Sequence, residues 1–227
     1  GPEWVEGVLK GFETGADAVV YTYCDATPGS VYSRAFSLIN YGKWMSEEFA
    51  GEHRDGPGNN IAYRKDVLLR QGNRLEDLMH IEWFMHRAIR EQGGIIYQEP
   101  TAKMAHANWN TLWGTLSDTH ACSRLFAYQR VMLEKPSLLK RLIYVAATPL
   151  MPVLKFWRTY QALKPDPEIL RLFILRSPLI LFIMLCSSIS EAMGYFDPRA
   201  PYRNHMNVEL NLPRACDGKS RFRSHAG

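Results

Sequence analysis

The chain alternates between short apolar runs bounded by turn residues and longer stretches in which apolar side chains return every three or four positions. Ala16 to Cys24 (ADAVVYTYC) is a β-branched and aromatic run. Gly15 precedes it and Asp25-Ala26-Thr27-Pro28-Gly29 follows, which is a strand and then turn chemistry. From Val31 to Ala50 the spacing of Ala35, Leu38, Ile39 and Phe49 predicts a helix, and the polar, glycine-rich stretch Gly51 to Gly58 breaks it. Asn60 to Tyr63 reads as a short strand. Leu78, Ile81, Met85, Ala88 and Ile89 give Leu75 to Gln92 the clearest helical pattern, with Gly93-Gly94 closing it as a C-cap. Gly94 to Gln98 and Ala102 to His106 are expected to be two strands about Pro100, and Asn108 to Glu134 a further helix. Strands and helices interleaved in this way predict an α/β class.

The texture changes near residue 136, which sets a first part, 1–135, against a helical segment, 136–196. Leu138 to Leu163 and Glu168 to Tyr195 read as helices rich in large apolar residues and studded with Lys140, Arg141, Lys155, Arg158, Lys164, Arg171 and Arg176. The longest uncharged stretch, Ser177 to Ser190, is shorter than the ~20 residues a spanning helix needs, which favours peripheral attachment by an interfacial or re-entrant helix; the alternative is one short membrane helix that begins near Leu170 with Arg171 and Arg176 snorkelling. From Asp197 onward, residues 197–227 hold few apolar side chains and much Arg, Asn and Pro, so a mobile tail is expected.

Charge sharpens that division. The net charge is +4 over 227 residues, yet residues 136–227 carry 13 Lys/Arg against 6 Asp/Glu, while residues 1–135 carry 14 against 17. Basic residues interleaved with Leu, Ile, Phe and Trp suit an anionic lipid surface better than nucleic acid, whose binding stripes are polar around their cations. A membrane surface is therefore the expected partner, with no nucleic acid. Cys24, Cys122, Cys186 and Cys216 lie far apart without a CxxC pair, which predicts reduced thiols rather than a zinc site or a disulfide framework. The opening Gly1-Pro2-Glu3-Trp4 has no initiator Met and no apolar signal segment, as expected of a piece of a longer protein.

Several groups are candidates for chemistry. Glu82 falls on the line Leu78, Glu82, Met85, Ile89, at the edge of the apolar stripe, where a half-buried carboxylate acquires the raised pKa that a general base needs. The alternative is a structural pairing of Glu82 with His86 one turn later, or with an Arg. Glu76-Asp77 is a second carboxylate pair, near the helix start, where acidic residues complement the dipole. Gly58-Asn59-Asn60 followed by Ile61-Ala62-Tyr63-Arg64-Lys65 joins a turn, two amides and two cations, groups suited to sugar hydroxyls or a phosphate; an ordinary Asn-rich turn has the same composition. His106 ends a strand just before Asn108. GxSxG, P-loop, GxGxxG and HExxH patterns do not occur, which leaves elbow hydrolases, P-loop nucleoside triphosphatases, Rossmann dehydrogenases and zincins without support.

Taken in order, Trp4 with the Gly15–Val20 strand, GNNIAYRKDVLL at 58–69, the helix ending at Gly93, IIYQEP, and Ala105-His106 with Asn108 resemble the acceptor-side half of a bacterial family-two glycosyltransferase of the A-type fold. The resemblance covers about residues 1–135. It implies an incomplete A-type (nucleotide-diphospho-sugar transferase) domain that moves a sugar from a nucleotide-sugar donor to a glycan or lipid-linked hydroxyl acceptor with inversion. Eleven positions before the closing Gly93, it points to Glu82 as the base, with Asp77 of the Glu76-Asp77 pair as the competing choice. It also implies that Asn59, Asn60 and Arg64 line the acceptor or phosphate side, and that His106 joins a divalent metal, Mg or Mn, held mostly by residues outside this chain. The donor-binding half with its Asp-x-Asp is not among these residues, so the chain on its own is expected to be inactive. The segment ending Ser190-Glu191-Ala192-Met193-Gly194-Tyr195 resembles membrane-associated C-terminal helices of such enzymes, on the cytoplasmic face. The rival expectation is a non-catalytic membrane-surface adaptor.

Overall fold

A computed structural model describes residues 2–58 and 61–196. Asn59 and Asn60 and the expected mobile tail, 197–227, lie outside the described residues. The protein is mixed α/β, built on a four-stranded sheet: β1 (Ala18–Asp25), β2 (Gly51–His53), β3 (Ala62–Tyr63) and β4 (Ile96–His106), in the order β2-β4-β1-β3. β1 and β4 run parallel, with β2 and β3 as antiparallel edges. The central strand β1 is buried from Ala18 to Tyr23, as its unbroken apolar run requires of a strand covered on both faces.

The expected strands at 94–98 and 102–106 are one strand. Pro100 has no N–H to give to a ladder, and the pairing skips three residues: Tyr21 opposes Glu99, and Thr22 opposes Lys103. The Glu99 carboxylate satisfies this bulge, accepting from Thr101 N at 3.1 Å, Thr101 Oγ1 at 2.7 Å and Lys10 Nζ at 3.0 Å. Lys10 belongs to α1 (Pro2–Glu13), a helix that the apolar pattern did not single out. It lies so close to the bulge that a Cβ on Gly7 would come within 2.7 Å of Ala102 N.

α2 (Val31–Asn40) starts where expected, with Ser30 capping Ser33 N, and stops ten residues short of Ala50. A tight turn at Gly42–Trp44 replaces the rest, with Gly42 packed closely on Leu163, where a Cβ would stand 3.1 Å from its Cδ2. The expected helix 75–92 is two helices, α4 (Leu75–Met79), after the short α3 (Lys65–Leu69), and α5 (Glu82–Glu91). Ile81 is extended, with φ −136° and ψ 102°, so Glu82 opens a helix instead of sitting within one. The predicted C-cap is present: Gly93, at φ +78°, gives its N–H to Arg90 O, and Gly94 gives its own to Ile89 O, a Schellman motif.

α6 (Leu112–Glu134) is capped by Thr111. The two long helices expected beyond it are four: α7 (Leu138–Ala146), α8 (Met151–Leu163), α9 (Pro167–Leu175) and α10 (Ser177–Phe196). Pro149 and Pro152 mark the first break and Pro178 the second, each removing a helical donor. These helices pack back on the first part. Ala35 and Leu38 of α2 share a core with Leu163, Phe173, Ile180, Ile183 and Met184. α10 is long and apolar enough to cross a membrane by length and composition, and 39% of its most apolar stretch is buried inside the fold.

Candidate functional site

The parallel pair places the carboxyl ends of β1 and β4 side by side, with Asp25 and His106 opposite each other in register. The loop after β1 and the start of α2 then close over Asp25. Its Oδ1 accepts from Ser33 Oγ at 2.7 Å and Thr27 N at 2.9 Å, and Arg34 Nε stands 3.6 Å from Oδ2. Asn108 ties this group to His106. Its amide nitrogen donates to Ser37 Oγ at 2.8 Å, which turns the amide oxygen to His106 Nδ1 at 2.9 Å. That oxygen can only accept, so Nδ1 carries the imidazole proton and Nε2 presents a lone pair on the side of Tyr41 Oη, 3.4 Å away. Burial lowers the His106 pKa, opposed by the Asn108 bond and the Asp25 charge.

A lone pair fixed in this way suits a metal ligand. The rest of a metal set is not at hand: among the described residues no three His, Cys, Asp or Glu side chains gather to hold an ion, and Asp25 is committed to Ser33, Thr27 and Arg34. These residues by themselves do not make a metal centre.

Aromatic rings lead from His106 back along β1. Tyr41 lies 4.9 Å from the His106 ring and stacks on Tyr23 with centroids 4.7 Å apart and planes 5° from parallel. Tyr23 and Tyr21 alternate along β1, and Tyr63 comes from β3. Burial raises the pKa of all three, and the charge of Glu82 raises each further, taking Tyr21 to about 12. The Glu82 charge thus acts on all three tyrosines. As the first residue of α5 Glu82 sits where the helix dipole favours a carboxylate, yet burial outweighs the dipole and pushes its pKa up to about 7. Among the described residues it has no hydrogen-bond or ion-pair partner. The structural alternative of a Glu82–His86 pair is not formed. His86 is fully buried, accepts from Gly56 N–H at Nδ1 at 3.1 Å, and has its Nε2 2.7 Å from Tyr63 Oη.

The other candidates lie apart from this cluster. Asp77 and Glu76 are exposed in the first turn of α4; the recorded bond at Asp77 is its carbonyl accepting from Gln129 at 3.3 Å. Arg64 donates to main-chain carbonyls, from Nε to Ala16 O at 2.8 Å and from Nη2 to Phe12 O at 2.9 Å. That is the amino end of β1, on the order of 20 Å along the strand from Asp25. Tyr21, Tyr23 and Tyr41 were not singled out in the sequence, Tyr63 entered only as part of the 58–65 block, and His86 only as a structural partner for Glu82. The Tyr-x-Tyr alternation in a predicted strand was the available signal for the first two, since it puts both rings on one side. Tyr41 carries no local signal.

Comparison with known protein families, with curated proteins and with solved structures finds no match to this chain. The class defined by the coordinates is a mixed α/β protein with a small mixed sheet and a C-terminal apolar helix.

Proposed function

We propose that the chain is the acceptor-side part of an A-type, family-two glycosyltransferase that moves a sugar from a nucleotide-diphospho-sugar to a hydroxyl with inversion, Glu82 acting as general base. The observation that carries the reading is the state of Glu82: a half-buried carboxylate with a pKa of about 7 and no partner of its own among the described residues. A base works best when its pKa lies near the operating pH, and a carboxylate already bonded inside the protein is a poor proton acceptor. In the transfer, the acceptor hydroxyl gives its proton to Glu82 as its oxygen bonds to the anomeric carbon. The carbon–oxygen bond to the diphosphate breaks on the opposite face, and the electron pair leaves with the diphosphate. His106 would supply one ligand to a Mg or Mn ion beside that diphosphate, and donor binding is left to residues outside these 227.

In this reading α7–α10 attach the enzyme to the cytoplasmic face of a membrane. Among the described residues, 15 of the 22 exposed large apolar side chains fall between Leu138 and Phe196, interleaved with seven Lys and Arg. Apolar side chains ringed by cations suit an anionic lipid surface.

The test is sugar transfer by the full-length enzyme, assayed with a panel of UDP-, GDP- and dTDP-sugars, against the Glu82→Gln variant. Loss of turnover by two or more orders of magnitude is expected. Near-normal turnover would sink the assignment and leave a membrane-surface scaffold, which the same exposed helices favour.

A further inference from the structure

His86 determines more than the position of its own ring. Gly56 N–H can only donate, so His86 Nδ1, 3.1 Å away, carries a lone pair. A fully buried imidazole in this bonding state is neutral, and burial pushes its pKa down to about 4. The charged groups acting on the ring, Asp55 and Lys43, are opposite in sign and ion-paired to each other. The single ring proton is therefore on Nε2, and the 2.7 Å bond to Tyr63 runs from His86 to the phenol oxygen. Tyr63 accepts in that bond, so its own O–H is directed elsewhere. Among the described residues nothing accepts it.

Glu82 is the complement. It lies one turn before His86 on the same face of α5, and the Tyr63 ring stacks on His86 at 6.0 Å and 22°. The Glu82 charge reaches Tyr63. An unused donor on Tyr63 and an unused acceptor on Glu82 thus flank His86, an arrangement suited to a hydroxyl group, itself both acceptor and donor.

We propose that Tyr63 and Glu82 form a clamp for the alcohol group of the acceptor: Tyr63 O–H donates to the hydroxyl oxygen, Glu82 accepts the hydroxyl proton, and His86 is the positioning residue that aims the Tyr63 donor. This rests on the reading of Glu82 as base and adds the acceptor's binding chemistry to it. An alcohol oxygen has two lone pairs. One is held by Tyr63, which leaves the other to attack, so the clamp orients the nucleophile while its proton moves to Glu82. Tyr63 keeps its own proton throughout. Substrates presenting a free primary or secondary alcohol fit; ethers and O-methylated sugars do not.

The test has two arms on the full chain. With ¹⁵N-histidine, the ring nitrogen shifts of His86 are expected to report the Nε2–H tautomer, neutral from pH 6 to pH 8. A proton on Nδ1, or an imidazolium in that range, overturns the proposal. In the second arm glycerol is the hydroxyl probe, titrated to molar concentration while the Glu82 side-chain carboxyl is followed by ¹³C NMR. A saturable shift is expected, with affinity about tenfold lower in Tyr63→Phe. Equal affinity in both proteins, or no perturbation of Glu82, overturns the clamp. Should Tyr63→Phe fail to fold, the tautomer and the wild-type titration still decide the matter. Failure of the base reading looks different: normal turnover in Glu82→Gln with the glycerol shift intact.

Discussion

Gly194 of α10 and Ala127 of α6 meet where there is no room for another atom: a Cβ on Gly194 would stand 2.7 Å from Ala127 Cβ and 2.9 Å from Arg124 O. The neighbour on one side is main chain, which cannot swing aside. Gly194→Val is expected to cost about 1–3 kcal/mol by forcing the two helices apart. Urea denaturation of the variant and the parent measures this directly.

Next to that contact, Glu191 answers two cations from different helices, with Arg130 Nη1 3.4 Å from one carboxylate oxygen and Lys155 Nζ 3.3 Å from the other. All three side chains are largely removed from water. Glu191→Ala leaves both cations short of a counter-charge, although Arg130 retains its 2.6 Å bond to Tyr195 Oη. The expected loss is about 1–3 kcal/mol, and a double-mutant cycle with Arg130→Met should show strong coupling.

For Glu82 the linkage has the opposite sign to that of an ion-paired carboxylate. Its pKa is about 7 in the folded chain against the ordinary 4.5, so across that interval the native state holds more protons than the unfolded state. Stability therefore falls as pH rises from 4.5 to 7, and the deficit is complete above 7. Glu82→Gln should be more stable than the parent at pH 8, by about 1–2 kcal/mol once partial exposure is discounted, with the difference vanishing at pH 4. Thermal melts at the two pH values check it. On the proposed reading of Glu82 as base, kcat/KM for sugar transfer should rise through about pH 7 as the carboxyl ionises.

The exposed apolar face gives a fourth expectation. Leu139 and Leu142 on α7 and Trp157 on α8 are uncovered, and Lys140, Arg141 and Arg158 adjoin them in sequence. The full chain should sediment with vesicles containing phosphatidylglycerol and much less with neutral phosphatidylcholine, and the binding should weaken with salt. Leu139→Asp with Leu142→Asp should lower the partition at least tenfold. Unchanged sedimentation would rule out this face as the attachment surface.

The sequence made the scaffold of the site legible and left its contents mostly hidden. β1 announced itself through an unbroken apolar run between turn residues, and Gly93-Gly94 marked the end of α5 because a left-handed cap needs a residue without a Cβ. Glu82 was found by counting back from that cap, and that distance is unaffected by the break at Ile81. The break itself had no local signal, since Met79-His80-Ile81 contains neither Gly nor Pro and only packing extends Ile81. Pairing register is likewise tertiary: nothing within YQEPTAK reveals that three residues bulge and the strand continues. Arg64 shows how one composition serves two roles: a guanidinium with five donors that suits a phosphate also holds two main-chain carbonyls here.

α2 has both of its long sides occupied. Ser33, Ser37 and the following Tyr41 reach the network around Asp25 and His106, while Ala35 and Leu38 are locked among α8, α9 and α10. Close-packed interiors yield little, so a rod gripped on two sides transmits displacement instead of absorbing it. Any force that tilts the C-terminal helices is delivered through about one helix diameter, some 10 Å, to the carboxyl end of the sheet.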